Sequence, residues 1–316
     1  MGEDMKRWNA ILIYIVSIFF IPYSLTMVMT GIVGDYKETG NLETGIQIKM
    51  EETEIDLEEY VIGTMASQIP ADYEKEALKC QAMIQRTNIL NEMERMKTNE
   101  SKKLPFLYLT TIDMEEKWGK KNWEFYYGKL KQAVLQTKGR YLTYQGNYIE
   151  AYYHPVSVGM TVSAKELLGK EVEYLQSVES NQDVESKEYM SSKTVSYGEV
   201  VKLLKEKEIE VTEKEVENKL KVRKKTNLGY IQELEIGKNK ITGEKWKEWF
   251  HLSSSNFYLE NYENQLRIIS IGQGHGMGLS QYGANKMASE GKSSDEILKY
   301  YYKKVKIETM NDENKN

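Results

Sequence analysis

Close to the C-terminus, Ile271-Gly-Gln-Gly-His-Gly-Met-Gly-Leu-Ser-Gln-Tyr-Gly-Ala284 sets Gly272, Gly274, Gly276, Gly278 and Gly283 among His275, Ser280, Gln281 and Tyr282. Glycine has no Cβ, so the backbone there can bend sharply and a ligand can come close to the main chain. The polar side chains offer donors and acceptors, and of these only the histidine titrates near neutrality. Such a surface suits an uncharged, hydroxyl-rich ligand better than a phosphate. The phosphate and nucleophile patterns fail on their own terms. No lysine follows these glycines as a Walker loop requires, and Met277 or Leu279 stands where a dinucleotide fingerprint needs its third glycine. The segment Gly278-Leu-Ser280-Gln-Tyr282 lacks the closing glycine of a nucleophile elbow.

The elements that must position these residues read as a mixed α+β pattern without regular βαβ alternation. An acidic stretch, Glu51 to Glu59, leads into apolar Tyr60, Val61, Ile62 and Met65, and Pro70 with Asp72 marks a helix start. From Glu74 to Met96 there is no Gly or Pro, and Leu78, Ala82, Ile89 and Met93 form a stripe. This predicts a helix with one buried and one partly functional face. Two aromatic-rich runs around Gln145-Gly-Asn147 predict a hairpin. Residues 197–225 read as charged, exposed helix, Ile231–Ile236 as a strand, and 284–302 as helix. The basic run Lys219-Leu-Lys-Val-Arg-Lys-Lys225 reads as a solvated face.

The chain has 316 residues, 40% of them hydrophobic and 29% charged, with a formal net charge of −5, so nucleic acid is not an expected partner. A single cysteine, Cys80, forms no internal disulfide. With three histidines far apart in sequence, a structural zinc site lacks ligands, and neither a metal nor another cofactor is expected. Residues 11–33 carry no charge. As a helix they would rise about 34 Å, enough for a bilayer core of about 30 Å. Lys6 and Arg7 precede the run, which predicts a cytoplasmic 1–10 segment, a retained single-pass anchor and an exported remainder. A cleaved signal peptide fits less well, because its apolar core is shorter and ends in a small-x-small site. After the anchor come a linker at 34–50, a domain at 51–305 and a polar tail at 306–316.

Gly274-His-Gly-Met-Gly-Leu-Ser-Gln-Tyr-Gly-Ala284 resembles the signature of the stage II sporulation protein D (SpoIID/LytB) family. Leu57-Glu-Glu-Tyr-Val-Ile-Gly63, Ala66-Ser-Gln-Ile-Pro70 and Glu76-Ala-Leu-Lys-Cys-Gln-Ala82 with Arg86-Thr87 form a second matching block. A third, weaker block runs from Leu228-Gly-Tyr-Ile through Ile241-Thr-Gly243 to Leu252–Phe257. The resemblance implies a membrane-anchored, extracytoplasmic protein that acts on peptidoglycan glycan strands during engulfment, beside an amidase and membrane engulfment proteins. It also implies lytic transglycosylase chemistry. A glutamate in an Ala-x-Glu-Met-Pro-like motif would protonate the leaving oxygen and then take a proton from the 6-hydroxyl. Here that position is Gln68, whose amide has no titratable proton.

The resemblance assigns substrate contacts to Gln81, Arg86, His154, Gly274, His275, Gly276, Gly278, Ser280, Gln281 and Tyr282. Gln81 and Arg86 either anchor the groove wall or bridge helix to loop. Trp246-Lys247 stands where the family has an aromatic residue and Arg. His154-Pro-Val-Ser-Val-Gly159 resembles a family His-Ser-x-x-Gly-Gly-like segment, departing from it at Pro155 and Val158; some relatives place extra Cys and His nearby to hold zinc, but no cysteine accompanies it here. Three readings stay open: a glycan-binding, catalytically impaired protein; an active transglycosylase using another acid, with Asp72, Glu74 and Glu76 nearest in sequence; and a membrane-tethered protein scaffold.

Overall fold

In the computed structural model, which describes residues 41–50, 53–97 and 104–310, the chain opens on a short antiparallel hairpin of β1 (Gln47–Lys49) and β2 (Glu54–Asp56). Ile48 is buried, so the far end of the expected linker is part of the fold. Asp56 then caps α1 (Leu57–Gln68) by accepting from Glu58 N. Pro70 disfavours helical geometry at the residue before it, and Ile69 is extended at φ −132, ψ 144. Gln68 is therefore the last residue of α1.

The predicted long helix is α2 (Lys75–Lys97). It buries two sides rather than one. Leu78, Ala82 and Ile89 enter a core with α1, α3 (Thr111–Trp118) and α4 (Trp123–Gln136). Ala77, Cys80, Met83 and Ile84 enter a second core. Burying two faces of one helix fixes its rotation, and it therefore fixes what the remaining face presents.

The hairpin is β3 (Arg140–Tyr144) and β4 (Asn147–Tyr148), closed by Gln145-Gly146 at φ 51 and 82. Two positive φ values belong to the tight turn that matches strand twist. Next come β5 (Tyr153–His154), α5 (Ala164–Leu168) and a 3₁₀ turn at Asn181–Glu185.

An insert with its own core follows: β6 (Met190–Ser196), α6 (Tyr197–Glu206), α7 (Glu213–Lys219), β7 (Lys221–Lys225), β8 (Ile231–Ile236), β9 (Asn239–Ile241), α8 (Gly243–Phe250), β10 (Phe257–Tyr262) and β11 (Gln265–Ile271). Its antiparallel sheets run β10-β11-β6 and β7-β8-β9. The basic run expected as helix is strand β7, whose Arg223 is bound to Glu235 of β8.

The glycine-rich loop leads into β12 (Leu279–Ser280), α9 (Gln281–Ser289) and α10 (Ser294–Tyr301). The chain returns as β13 (Lys306–Thr309) along β3, so the expected polar tail begins as a strand. The β12–β5 pair is parallel and the others are antiparallel. Mixed helices and antiparallel strands make this an α+β protein. The apolar run 11–33 lies outside the described residues. Among the described residues, no helix is long and apolar enough to cross a membrane.

Candidate functional site

A cleft of about 540 Å³ opens between the end of α1, one face of α2 and the glycine-rich loop, with Gln68, His154, Gly274, His275 and Gln281 among its lining residues. Gln281 joins the sides. Its amide nitrogen donates to the Gln68 carbonyl at 3.0 Å and to Gln81 Oε1 at 3.2 Å. The first bond satisfies one of the carbonyls that a helix end leaves without a partner. Gln68, exposed at its side chain, is held at the mouth of the cleft by its backbone.

The opposite wall is built on paired histidines. Tyr153 and His154 in β5 are zipped in parallel to Leu279 and Ser280 in β12. The backbone of one residue, Met277, then reads both rings. His154 Nδ1–H donates to the Met277 carbonyl at 3.1 Å, and Met277 N–H donates to His275 Nδ1 at 3.1 Å. These bonds assign the protons: His154 Nε2 and His275 Nδ1 are acceptors. The ring centroids lie 5.8 Å apart. Burial, followed by the neighbouring His275, pushes the His154 pKa down to about 3. Burial, followed by the charge of Lys247, pushes His275 down to about 4. Both rings are neutral at neutral pH.

The third wall is the remaining face of α2. Asn88, Glu92 and Arg95 line the cleft, and with buried Gln81 and Gln85 they recur at alternating steps of four and three, along one side of a helix. Gln85 donates to the Tyr153 hydroxyl at 2.8 Å. Asn88 makes two bonds with the Ala151 backbone, at 2.9 and 3.1 Å. Arg95 lies 3.6 Å from Glu92 and 3.4 Å from Glu150 at the far end. Phe106 and Tyr152 add aromatic surface to the lining. The helical spacing of these polar residues was a readable signal, and it extends the site beyond the positions named from sequence.

Several expected contacts lie elsewhere. Arg86 is fully buried, held by Glu58 through Nε at 2.9 and 3.1 Å, and it donates to the Arg140 carbonyl at 2.8 Å. It bridges α2 to α1 and β3 and does not line the cleft. Gln81 is buried behind Gln281. Ser280 is the N-cap of α9 and accepts from Gly283 N at 3.2 Å. Tyr282 lies outside the cleft lining, with Lys286 5.5 Å from its ring centroid.

The glycines serve the fold before any ligand. Gly276 and Gly278 have φ of 76 and 75, and added Cβ atoms would meet the Tyr230 hydroxyl and the Tyr152 carbonyl at 1.9 Å. The space expected for a ligand at those two positions is filled by the chain itself. Gly274 lines the cleft, but its missing Cβ makes room for His154 Cβ at 2.9 Å. Beneath the loop, buried Asp183 accepts from Ser157 N at 2.7 Å, and burial pushes its carboxyl pKa up. No motif had pointed to it.

Asp72, Glu74 and Glu76 do not reach the cleft; Glu76 instead binds Lys79 and Ser294 N. The carboxylates in the lining are Glu92 and Glu150. Among the described residues, no group of three or more His, Cys, Asp or Glu could hold a metal ion.

The site is therefore that of an α+β protein with a cleft of amides, neutral histidines and apolar and aromatic surface, charged at its far end and closed by a glycine-rich loop that leads into a capped helix. The family model described as "Stage II sporulation protein" (SpoIID) matches residues 48–144, which run from β1 through β3. The chain is 33% identical over 261 residues to stage II sporulation protein D of Bacillus subtilis, covering 80% of this chain and 74% of that protein. It is 29% identical over 308 residues to an uncharacterized protein of Brachyspira hyodysenteriae, covering 96% of this chain and 74% of that one. A more distant likeness, 24% over 295 residues, is to the amidase enhancer of Bacillus subtilis, covering 76% of this chain and 39% of that protein. The chain belongs to the stage II sporulation protein D family.

Proposed function

We propose that the cleft binds glycan strands of peptidoglycan during the wall remodelling of sporulation, and that it does so with little or no cleavage. The observation that carries this reading is the placement of Gln68. The family's acid position opens into the cleft beside Gln281 and opposite the neutral histidines, and it carries an amide. Cleavage needs a group there that gives a proton to the leaving oxygen and later takes one back. An amide does neither, yet it still hydrogen-bonds a sugar oxygen or hydroxyl. Most of the rest of the lining suits a sugar polymer, with amides, neutral histidines and aromatic faces, while Glu92, Arg95 and Glu150 form a charged cluster at the far end.

The chain works outside the membrane, tethered by residues 11–33. Its likeness to an amidase enhancer supports an amidase as the neighbour that prepares the strands. A rival reading, an active transglycosylase with a substituted acid, would have to use Glu92 or Glu150. Both are instead paired with Arg95 at the far end of the cleft, away from Gln68 and Gln281.

The test is calorimetry and product analysis with purified glycan strands freed of stem peptides. The wild-type protein is expected to bind and to release no 1,6-anhydro product. Gln281→Ala and His275→Ala are each expected to weaken binding by roughly 2- to 10-fold, the value of one or two hydrogen bonds. Anhydro product from wild type that disappears in Glu92→Gln or Glu150→Gln would replace this reading with the rival one.

A further inference from the structure

The insert carries a second groove, of about 410 Å³, between β7 and β10 and sharing no lining residue with the cleft. Both strands are outermost in their sheets, so each has a row of backbone N–H and C=O groups outside any ladder. All five residues of β7 are exposed and four of them are cations, in a chain whose net charge is −5. Arg223 is neutralised by Glu235 at 2.8 and 2.6 Å. Among the described residues, Lys224 and Lys225 have no carboxylate partner.

The groove is not only charged. Val222 is 40% exposed and Tyr258 54% exposed, beside buried Phe257 and half-buried Leu259. A merely solvated face does not need this apolar floor. Like charges on β7 keep it from pairing with the β7 of another copy, and the same charges favour a strand of opposite sign. A bound extended segment would gain main-chain bonds from an edge and, with its period of two, would alternate side chains between the lysines and the apolar floor.

We propose that this groove docks an extended acidic segment of a partner protein, with carboxylates alternating with apolar residues. The proposal is independent of what the cleft binds. Its probe is a labelled octapeptide alternating glutamate and valine, followed by fluorescence anisotropy, with a lysine–valine counterpart as control.

The acidic peptide is expected to bind and the basic one not to. Lys224→Glu/Lys225→Glu is expected to weaken binding at least about tenfold, because it reverses the long-range term. Tyr258→Ser is expected to weaken it several-fold with its salt dependence unchanged. Both variants alter exposed side chains, and both should bind glycan as wild type does. Equal binding of the two peptides would overturn the proposal. So would inorganic polyphosphate binding as tightly as the peptide with no effect of Tyr258→Ser, which would leave only polyanion attraction. A concentration-dependent dimer abolished by the charge reversal would assign the groove to a second copy of the chain instead.

Discussion

Arg86–Glu58 and Arg223–Glu235 are the same chemistry, an arginine fork on a carboxylate, in opposite surroundings. The first has both side chains at 0% exposure and ties α2 to α1 behind the cleft. The second has exposures of 50% and 27%, on the strand that borders the second groove. A buried pair must satisfy itself completely, and Glu58 also accepts from Gly139 N at 3.0 Å. An exposed pair shares its partners with water and can be rearranged. The cleft is thus backed by a fixed charge pair that no ligand reaches, and it presents mostly neutral groups, its lining charges being the Glu92–Arg95–Glu150 cluster at the far end. The groove presents its charges outright.

That contrast is sharpest under mutation. Glu58→Ala would leave Arg86 buried without its carboxylate, at a cost of about 3–5 kcal/mol in denaturant unfolding. Glu235→Ala, by contrast, should leave the unfolding midpoint unshifted. Equal losses at the two sites would break the comparison.

A smaller effect is expected from pH. His154 and His275 have folded pKa values of about 3 and about 4, below the ordinary 6.5, so the unfolded chain takes up protons first as pH falls. Their contribution to stability is complete above pH 6.5 and declines as pH drops toward 4. His275→Gln should flatten that part of the stability profile. Glycan binding itself should stay level from pH 8 to about 5, since both rings remain neutral. A fall in affinity centred near pH 6.5 would mean that one ring is charged in the cleft.

The frame was legible where local chemistry decided it. The Gln145-Gly146 turn, the unbroken 74–96 helix and the Ile231–Ile236 strand all follow from short-range rules, and the glycine-rich loop was visible as the site's landmark. What could not be read was which side of a residue faces the ligand. Arg86 could anchor the groove wall or bridge helix to loop, and only its partner Glu58, 28 positions away, decides for a structural bridge. Gly276 and Gly278 looked like openings for a ligand, yet Tyr230 and Tyr152 fill the space. Ser280 looked like a contact and is a helix cap. The run 221–225 looked helical because charge masked its strand pairing with β8. For Arg86, the two glycines and the run 221–225 a partner distant in sequence decided the role, whereas Ser280 was decided by its local cap on Gly283 N. A partly functional face was expected on this helix, with Gln81 on it, but its course through 85, 88, 92 and 95 was masked by the apolar stripes of the same helix.

Gln68→Glu tests the central claim most directly. The change keeps the shape of the side chain and adds a titratable proton at this position, where the amide has none. Glycan strands freed of stem peptides would be incubated with each protein, and the products read by mass spectrometry. The expected result is no 1,6-anhydro product from wild type and measurable product from Gln68→Glu, with glycan affinity unchanged. The gain should fall short of the roughly 10²- to 10⁴-fold of an evolved general acid, because Gln68 sits at an exposed mouth where little raises a carboxyl pKa. Abundant anhydro product from wild type, unaffected by Gln68→Ala, would contradict the account.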